Sequence, residues 1–223
     1  MSVKDIKEDN STKPLSDDLF VMLERAILSG ELKPDQKLTE QSICKKYKVS
    51  RTPVREALRQ LEFDGLIENI PNRGAYVIGL TQRDISDLFD MRSIFEVQAV
   101  MWAIERMTNE EIEALRETIE FMEFYTLKDD AEKVMYFNTV FHNIIYIGTK
   151  NKMLRKTLSS YQKHLKYSAP PKTYTNDYLQ MILKEHQQIF KALERRNVAA
   201  GKRAMEYHMR HSKLRRMAKV LTE

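Results

Sequence analysis

The chain has 223 residues, of which 42% are hydrophobic and 31% charged, and its net charge is +5. That mixture describes a water-soluble protein of one large or two small domains. A single cysteine, Cys44, excludes an internal disulfide framework, no run reaches the roughly 18 apolar residues of a membrane helix, and "MSVKDIKEDNSTKP" lacks the apolar centre of a secretory signal, so a reducing, cytoplasmic location is expected.

Six glycines and six prolines in the whole chain predict long helices with few tight turns. The first is "LSDDLFVMLERAILSG", with Leu19, Met22, Leu23, Ala26 and Ile27 at helical spacing, acidic residues at its start and Gly30 at its end. "ELKPDQK" reads as a turn. "TEQSICKKYK" is a short helix capped by Thr39, and "VS" is a brief joint. "SRTPVREALRQLEFDGL" then starts at a capping Ser50 and closes at Gly65, with Pro53 in the first turn, where no intrahelical N–H is required. "LIENI" and "AYVIGL" are strand-like runs around "PNRG", a hairpin tip. From Thr81 on, the periodicity predicts six helices: 81–107, 108–125, 129–148, 151–168 (stopped by "APPKTYTN"), 177–197 and 198–221. The expected fold is mainly α. A winged helix-turn-helix of three helices and a two-stranded wing fills 1–80, and an all-α bundle of about six helices fills 81–223.

Charge placement adds function to this outline. Residues 1–80 hold thirteen Lys and Arg against thirteen Asp and Glu, yet residues 43–59 hold six positive charges and only Glu56 against them. A local basic patch on a neutral module is the footprint of a phosphate-facing surface. Arg51, Arg55 and Arg59 stand four apart and form a slanting ridge on one helix, while Val54, Leu58 and Leu61 face inward. Arginine reads guanine O6 and N7 through two parallel hydrogen bonds and also grips phosphate. Ser50, Thr52 and the helix N-terminus can hold a phosphate oxygen. The plain alternative is a solvated face with Arg–Glu pairs. A preceding short helix, a following wing, and Arg73 and Gly74 at the wing tip weigh against it, since Gly74 admits a close backbone approach to the minor groove and Arg73 can enter it.

The stretch "SRTPVREALRQLEFDGLIENIPNRGAYV" resembles the winged-helix signature of the GntR family of bacterial transcription regulators, from about Leu19 to Val77. The resemblance implies DNA contacts from Arg51, Thr52 and Arg55 and wing contacts near Gly74. Many members carry an arginine in the middle helix; Gln41 stands there in this chain, able to address adenine or phosphate.

The helical remainder resembles the FCD branch, FadR-like regulators with a helical effector domain, over roughly residues 81–215. "NTVFH" places Asn138 and His142 one helical turn apart, "KEHQQIF" supplies His186 and "EYHMRH" supplies His208. The resemblance implies that these four hold a divalent metal, Zn, Ni, Fe or Mn, with Asn138 where Asp is commoner. Neutral imidazoles suit those ions, and three of them leave coordination positions open. Asn adds no charge, so such a site keeps the full +2 of the ion and favours an anion, expected to be a small carboxylate effector. Arg92 matches an arginine that faces the effector in the family; the alternative is an ion pair with Glu96 at i+4. His164 and His211 fit no ligand position.

The expected protein is therefore a homodimeric, ligand-responsive regulator, leaning to repression, that binds a palindromic double-stranded operator and is not an enzyme. Two rivals differ in kind. A metal-dependent hydrolase would need a carboxylate base, and no "HExxH" pattern occurs. A metal-free regulator responding to acyl-CoA would have no use for the histidine set.

Overall fold

The computed structural model describes residues 15–71, 73–167 and 174–218. The expected leaderless N-terminus, Asn72 of the hairpin tip and the start of the "APPKTYTN" stop lie outside the described residues. The described residues divide into two compact units, one running to Ile85 and including the end of the seventh helix from His164, the other beginning at Ser86.

In the first unit, α1 spans Leu15–Leu28, α2 Glu40–Tyr47 and α3 Arg51–Phe63. Leu19, Leu23 and Ile27 of α1 bury against Val54, Ala57 and Leu61 of α3, with Leu66, Ile67 and Val77 completing the core. Met22 does not join it and stays half exposed; Phe20 is buried instead. Thr39 caps α2 as expected, its side chain accepting from the Ser42 N–H at 3.1 Å. Lys48, in the left-handed region at φ 55°, ends α2 abruptly. Ser50 holds the extended backbone of an N-cap but its side chain makes no cap hydrogen bond, contrary to expectation. Pro53 sits in the first turn of α3 without breaking it.

The wing is larger than the sequence suggested. β2 (Ile67–Ile70) and β3 (Gly74–Val77) form the hairpin, and β1 (Lys37–Leu38) joins the free edge of β3, giving an antiparallel sheet in the order β1-β3-β2. Lys37 pairs with Tyr76 and Leu38 with Ala75. The end of "ELKPDQK" is thus strand rather than turn. Two residues are too short a run for alternation to show, and only the edge of β3 makes them a strand.

The second unit is built from the remaining helices, of which the first unit takes only the start of α4 and the end of α7: α4 spans Gln82–Arg106, α5 Asn109–Leu127, α6 Ala131–Gly148, α7 Lys152–Tyr167, α8 Asn176–Glu194 and α9 Val198–Ala218. Six helices were expected and six are described, with ends within a few residues. Thr108 and Glu111 form a reciprocal capping box on α5; Asp130 and Thr175 cap α6 and α8. α5 packs on α6 and α8, and α8 on α9. Leu115, Met122, Phe141, Ile145, Leu179, Ile189 and Met205 are fully buried along these contacts. At Gly201 the backbone passes so close to α4 that an added Cβ would strike Ile104 Cδ1.

Candidate DNA-binding surface and metal centre

Ser50, Arg51, Thr52, Arg55 and Arg59 are all exposed on or beside α3, on the side away from Val54, Ala57 and Leu61. The ridge is therefore free to meet a groove. The alternative of Arg–Glu pairs is partly realised in the same place: Arg55 Nε donates to Glu40 Oε1 at 2.8 Å and Arg59 Nη1 to Glu56 Oε1 at 3.1 Å. Gln41 is exposed in the first turn of α2. Arg73 is exposed at the β2–β3 turn, its N–H bonded to the Ile70 carbonyl. Gly74 takes φ 98°, a conformation that L side chains rarely adopt. Lys37, brought beside Gly74 by β1, is a cation at the wing that sequence reasoning missed, because it depends on the unforeseen strand.

The three expected histidines converge. His142 of α6, His186 of α8 and His208 of α9 are buried, and one ring nitrogen from each lies within 4.8 Å of those from the others. Their Nδ1 atoms all face protein partners. His142 Nδ1 meets Glu96 Oε2 at 3.2 Å, His208 Nδ1 meets Glu185 Oε2 at 2.8 Å, and His186 Nδ1 meets the Ile182 carbonyl at 2.8 Å. A carbonyl only accepts, so His186 carries its proton on Nδ1 and keeps a lone pair on Nε2. That Nε2 is buried with no hydrogen-bond partner among the described residues. An orphaned, oriented lone pair beside two more imidazoles is what a metal ion satisfies, so the donor set fits a divalent metal.

Electrostatics fit the same use. Burial, reinforced by the neighbouring histidines, holds His186 well below the usual imidazole range; burial also lowers His208, against the opposing pull of Glu185. Both are thus kept neutral, the form that ligates a metal. Each carboxylate behind the cluster is matched by a guanidinium. Arg92 donates to Glu96 from Nε at 3.0 Å and from Nη2 at 2.7 Å, and Arg215 grips Glu185 bidentately at 2.6 and 2.7 Å. Burial alone would raise Glu96, but His142 and Arg92 outweigh it and hold the group ionised. Tyr146 donates its hydroxyl to the same carboxylate, and burial beside Glu96 pushes that phenol up, so it remains a donor. The two Glu–Arg pairs cancel, so neither carboxylate leaves a net charge behind the cluster.

Of the remaining expected residues, Arg92 is buried and takes the ion pair with Glu96. An exposed pair of that spacing is worth tenths of a kcal/mol; this one is desolvated and part of a network. Asn138 is half-buried one turn before His142. His211 stacks on Tyr207 at 4.0 Å, outside the cluster. Glu185, Tyr146 and Arg215 were missed. Glu185 adjoins His186 in sequence, but its partner is His208, which no local spacing reveals.

A basic helix-turn-helix with a wing, followed by a helical domain around a buried histidine cluster, defines a transcription regulator with a sensor domain. Residues 15–77 match "Bacterial regulatory proteins, gntR family" and residues 87–211 match the FCD domain. The chain is 30% identical over 210 residues to the HTH-type transcriptional regulator YdhC of Bacillus subtilis (strain 168), covering 93% of this chain and 92% of that one. It is 25% identical to the HTH-type transcriptional repressor RspR of Escherichia coli (strain K12), covering 90% and 88%. Among solved structures, E. coli McbR/YncC superposes with a TM-score of 0.72 at 20% identity, covering 94% of this chain and all of that one. The chain belongs to the GntR family of transcriptional regulators and carries an FCD domain.

Proposed function

We propose that this chain is a cytoplasmic, homodimeric repressor whose DNA-binding segment, residues 1–80, reads a palindromic operator and whose segment 81–223 dimerises and binds a divalent metal and a small carboxylate. The observation that carries the sensor reading is the convergence of three buried imidazoles whose Nδ1 atoms are all fixed by protein partners. His142, His186 and His208 would hold the ion, which is Zn, Ni, Fe or Mn, with Asn138 as a fourth, uncharged ligand. When bound, the ion would supply a positive centre with open positions among buried side chains, and an anion is favoured there. Arg92, expected to face the effector, is taken up by Glu96 and would act on the site through that carboxylate and His142. A relative supports the carboxylate class: the gluconate operon transcriptional repressor of Bacillus subtilis, 32% identical over 127 residues and 55% of this chain, is named for the operon of a sugar acid.

Repression is the mode named for two of the matched relatives. On α3, Arg51, Thr52 and Arg55 would address base edges, with Ser50, Arg59 and Gln41 on phosphates or flanking bases and Arg73 and Gly74 at the minor groove. A carboxylate that prefers one arrangement of the dimer shifts the population able to hold DNA; a 100-fold change in operator affinity requires about 2.7 kcal/mol of such coupling. Glu96 and Glu185 are both tied to an arginine and a histidine, which argues against either serving as the general base of a hydrolase. The test has two arms. Elemental analysis of the purified protein should find close to one divalent ion per chain. Calorimetry with a panel of hydroxy- and dicarboxylates should show binding to the loaded protein and none after chelation. Equal binding by both forms would end the metal-centred reading.

A further inference from the structure

The bond between Arg55 and Glu40 does more than neutralise a surface charge. The two residues are fifteen positions apart, on successive helices, and the contact uses Arg55 Nε at 2.8 Å. Glu40 is the first residue of α2, where the helix dipole favours a carboxylate, and its backbone is fixed on both sides. Thr39 before it caps the helix, and β1 ends at Leu38 on the edge of the sheet. The carboxylate is thus an anchored group, whereas Arg55 is the long, mobile partner. Arg55 and then Arg51 lower the Glu40 carboxyl below its usual range, so it is ionised throughout the neutral range.

A guanidinium presents two forks to a nucleic acid: Nε with one Nη, or Nη1 with Nη2. Either matches guanine O6 and N7, and either matches a phosphate. With Nε engaged by Glu40, only the Nη1–Nη2 edge is left. We propose that Glu40 is a positioning residue for base reading: it holds the plane of Arg55, leaves one edge for guanine, and through its own negative charge keeps a phosphate from capturing that arginine. This rests on α3 being the groove-reading helix. In water the pair is exposed and weak; it strengthens when the interface closes and water leaves.

The test is selection from a pool of double-stranded DNA with a randomised core, using full-length wild type, Arg55→Ala and Glu40→Gln, followed by titrations of the recovered duplex and of an unselected pool duplex over a range of salt. Wild type is expected to enrich a site with a guanine whose preference Arg55→Ala abolishes. Glu40→Gln should lose about five- to tenfold of the preference at that same position, bind the unselected duplex better than wild type, and show there a slope of log K against log salt steeper by about one phosphate contact, because the released Arg55 is free to take a phosphate. A loss of fold would instead weaken both duplexes together. Two results overturn the proposal while leaving the regulator intact: a Glu40→Gln site identical to that of wild type, or a loss at a position that Arg55→Ala does not touch, which would make Glu40 a direct reader of cytosine. A wild-type protein that enriches no common sequence removes the groove-reading helix itself, and this inference with it.

Discussion

Replacing Glu185 with Gln changes one atom of the carboxylate and breaks a three-way junction. Glu185 accepts from His208 Nδ1 at 2.8 Å and from both Nη groups of Arg215 at 2.6 and 2.7 Å. A glutamine has one accepting oxygen, so its NH2 must point at a histidine or arginine donor. Loss of the partner behind a ligating imidazole weakens metal binding by about 10- to 100-fold, or about 1.4–2.7 kcal/mol. The metal-free protein should also lose about 2–3 kcal/mol, less than the roughly 3–5 kcal/mol for stripping one member of a fully buried pair, because the Arg215 side chain retains 15% of its exposure. The assay is competition for Zn²⁺ with a chromophoric chelator, run beside denaturant unfolding of the chelated protein. A variant with wild-type metal affinity and only the lowered stability would make Glu185 a brace for α9 and refute its role behind His208.

Three further outcomes follow from the geometry. Arg51→Ala should cost about 1–3 kcal/mol of discrimination between selected and unselected duplexes, measured by fluorescence anisotropy; equal loss on both would make Arg51 a phosphate contact only. For chelated protein, stability should fall as pH drops below about 6.5, by up to about 1.4 kcal/mol per pH unit for each of His186 and His208. The sign follows from their lowered pKa values, since the unfolded chain takes up protons that the buried rings refuse; urea titrations from pH 7.5 to 5.5 measure it, and a flat profile contradicts it. Gly201→Ala should destabilise by about 1–3 kcal/mol because the new Cβ meets the terminal methyl of Ile104, and Gly148→Ala should cost at least as much, because there the new Cβ meets Met107 Cγ and Sδ rather than the far end of a side chain; thermal melts of the two variants give the ranking.

Much of this protein is local in origin, and that part was legible. Thr108, Thr39, Pro53 and Gly65 set helix ends through bonds or backbone angles within a few residues. The ridge of Arg51, Arg55 and Arg59 was visible because helical spacing alone puts it on one face. The three histidines were found through the family pattern rather than through spacing. Hidden from the sequence was whatever needs a partner from far along the chain. β1 depends on β3, some forty residues on. Glu96 stands 46 residues from His142, and Glu185 stands 23 from His208. Arg92 was ambiguous for a physical reason: an i+4 partner exists in any helix, and only burial decides that the pair is kept.

The short strand at Lys37–Leu38 gives the DNA-binding unit its mechanics. It hydrogen-bonds to the wing on one side and runs directly into Thr39 and Glu40 on the other, and Glu40 grips Arg55. If α3 reads DNA as proposed, a tug on the hairpin tip would be relayed along the chain to Arg55. Wing and α3 are linked in series, so slack in one would loosen the other.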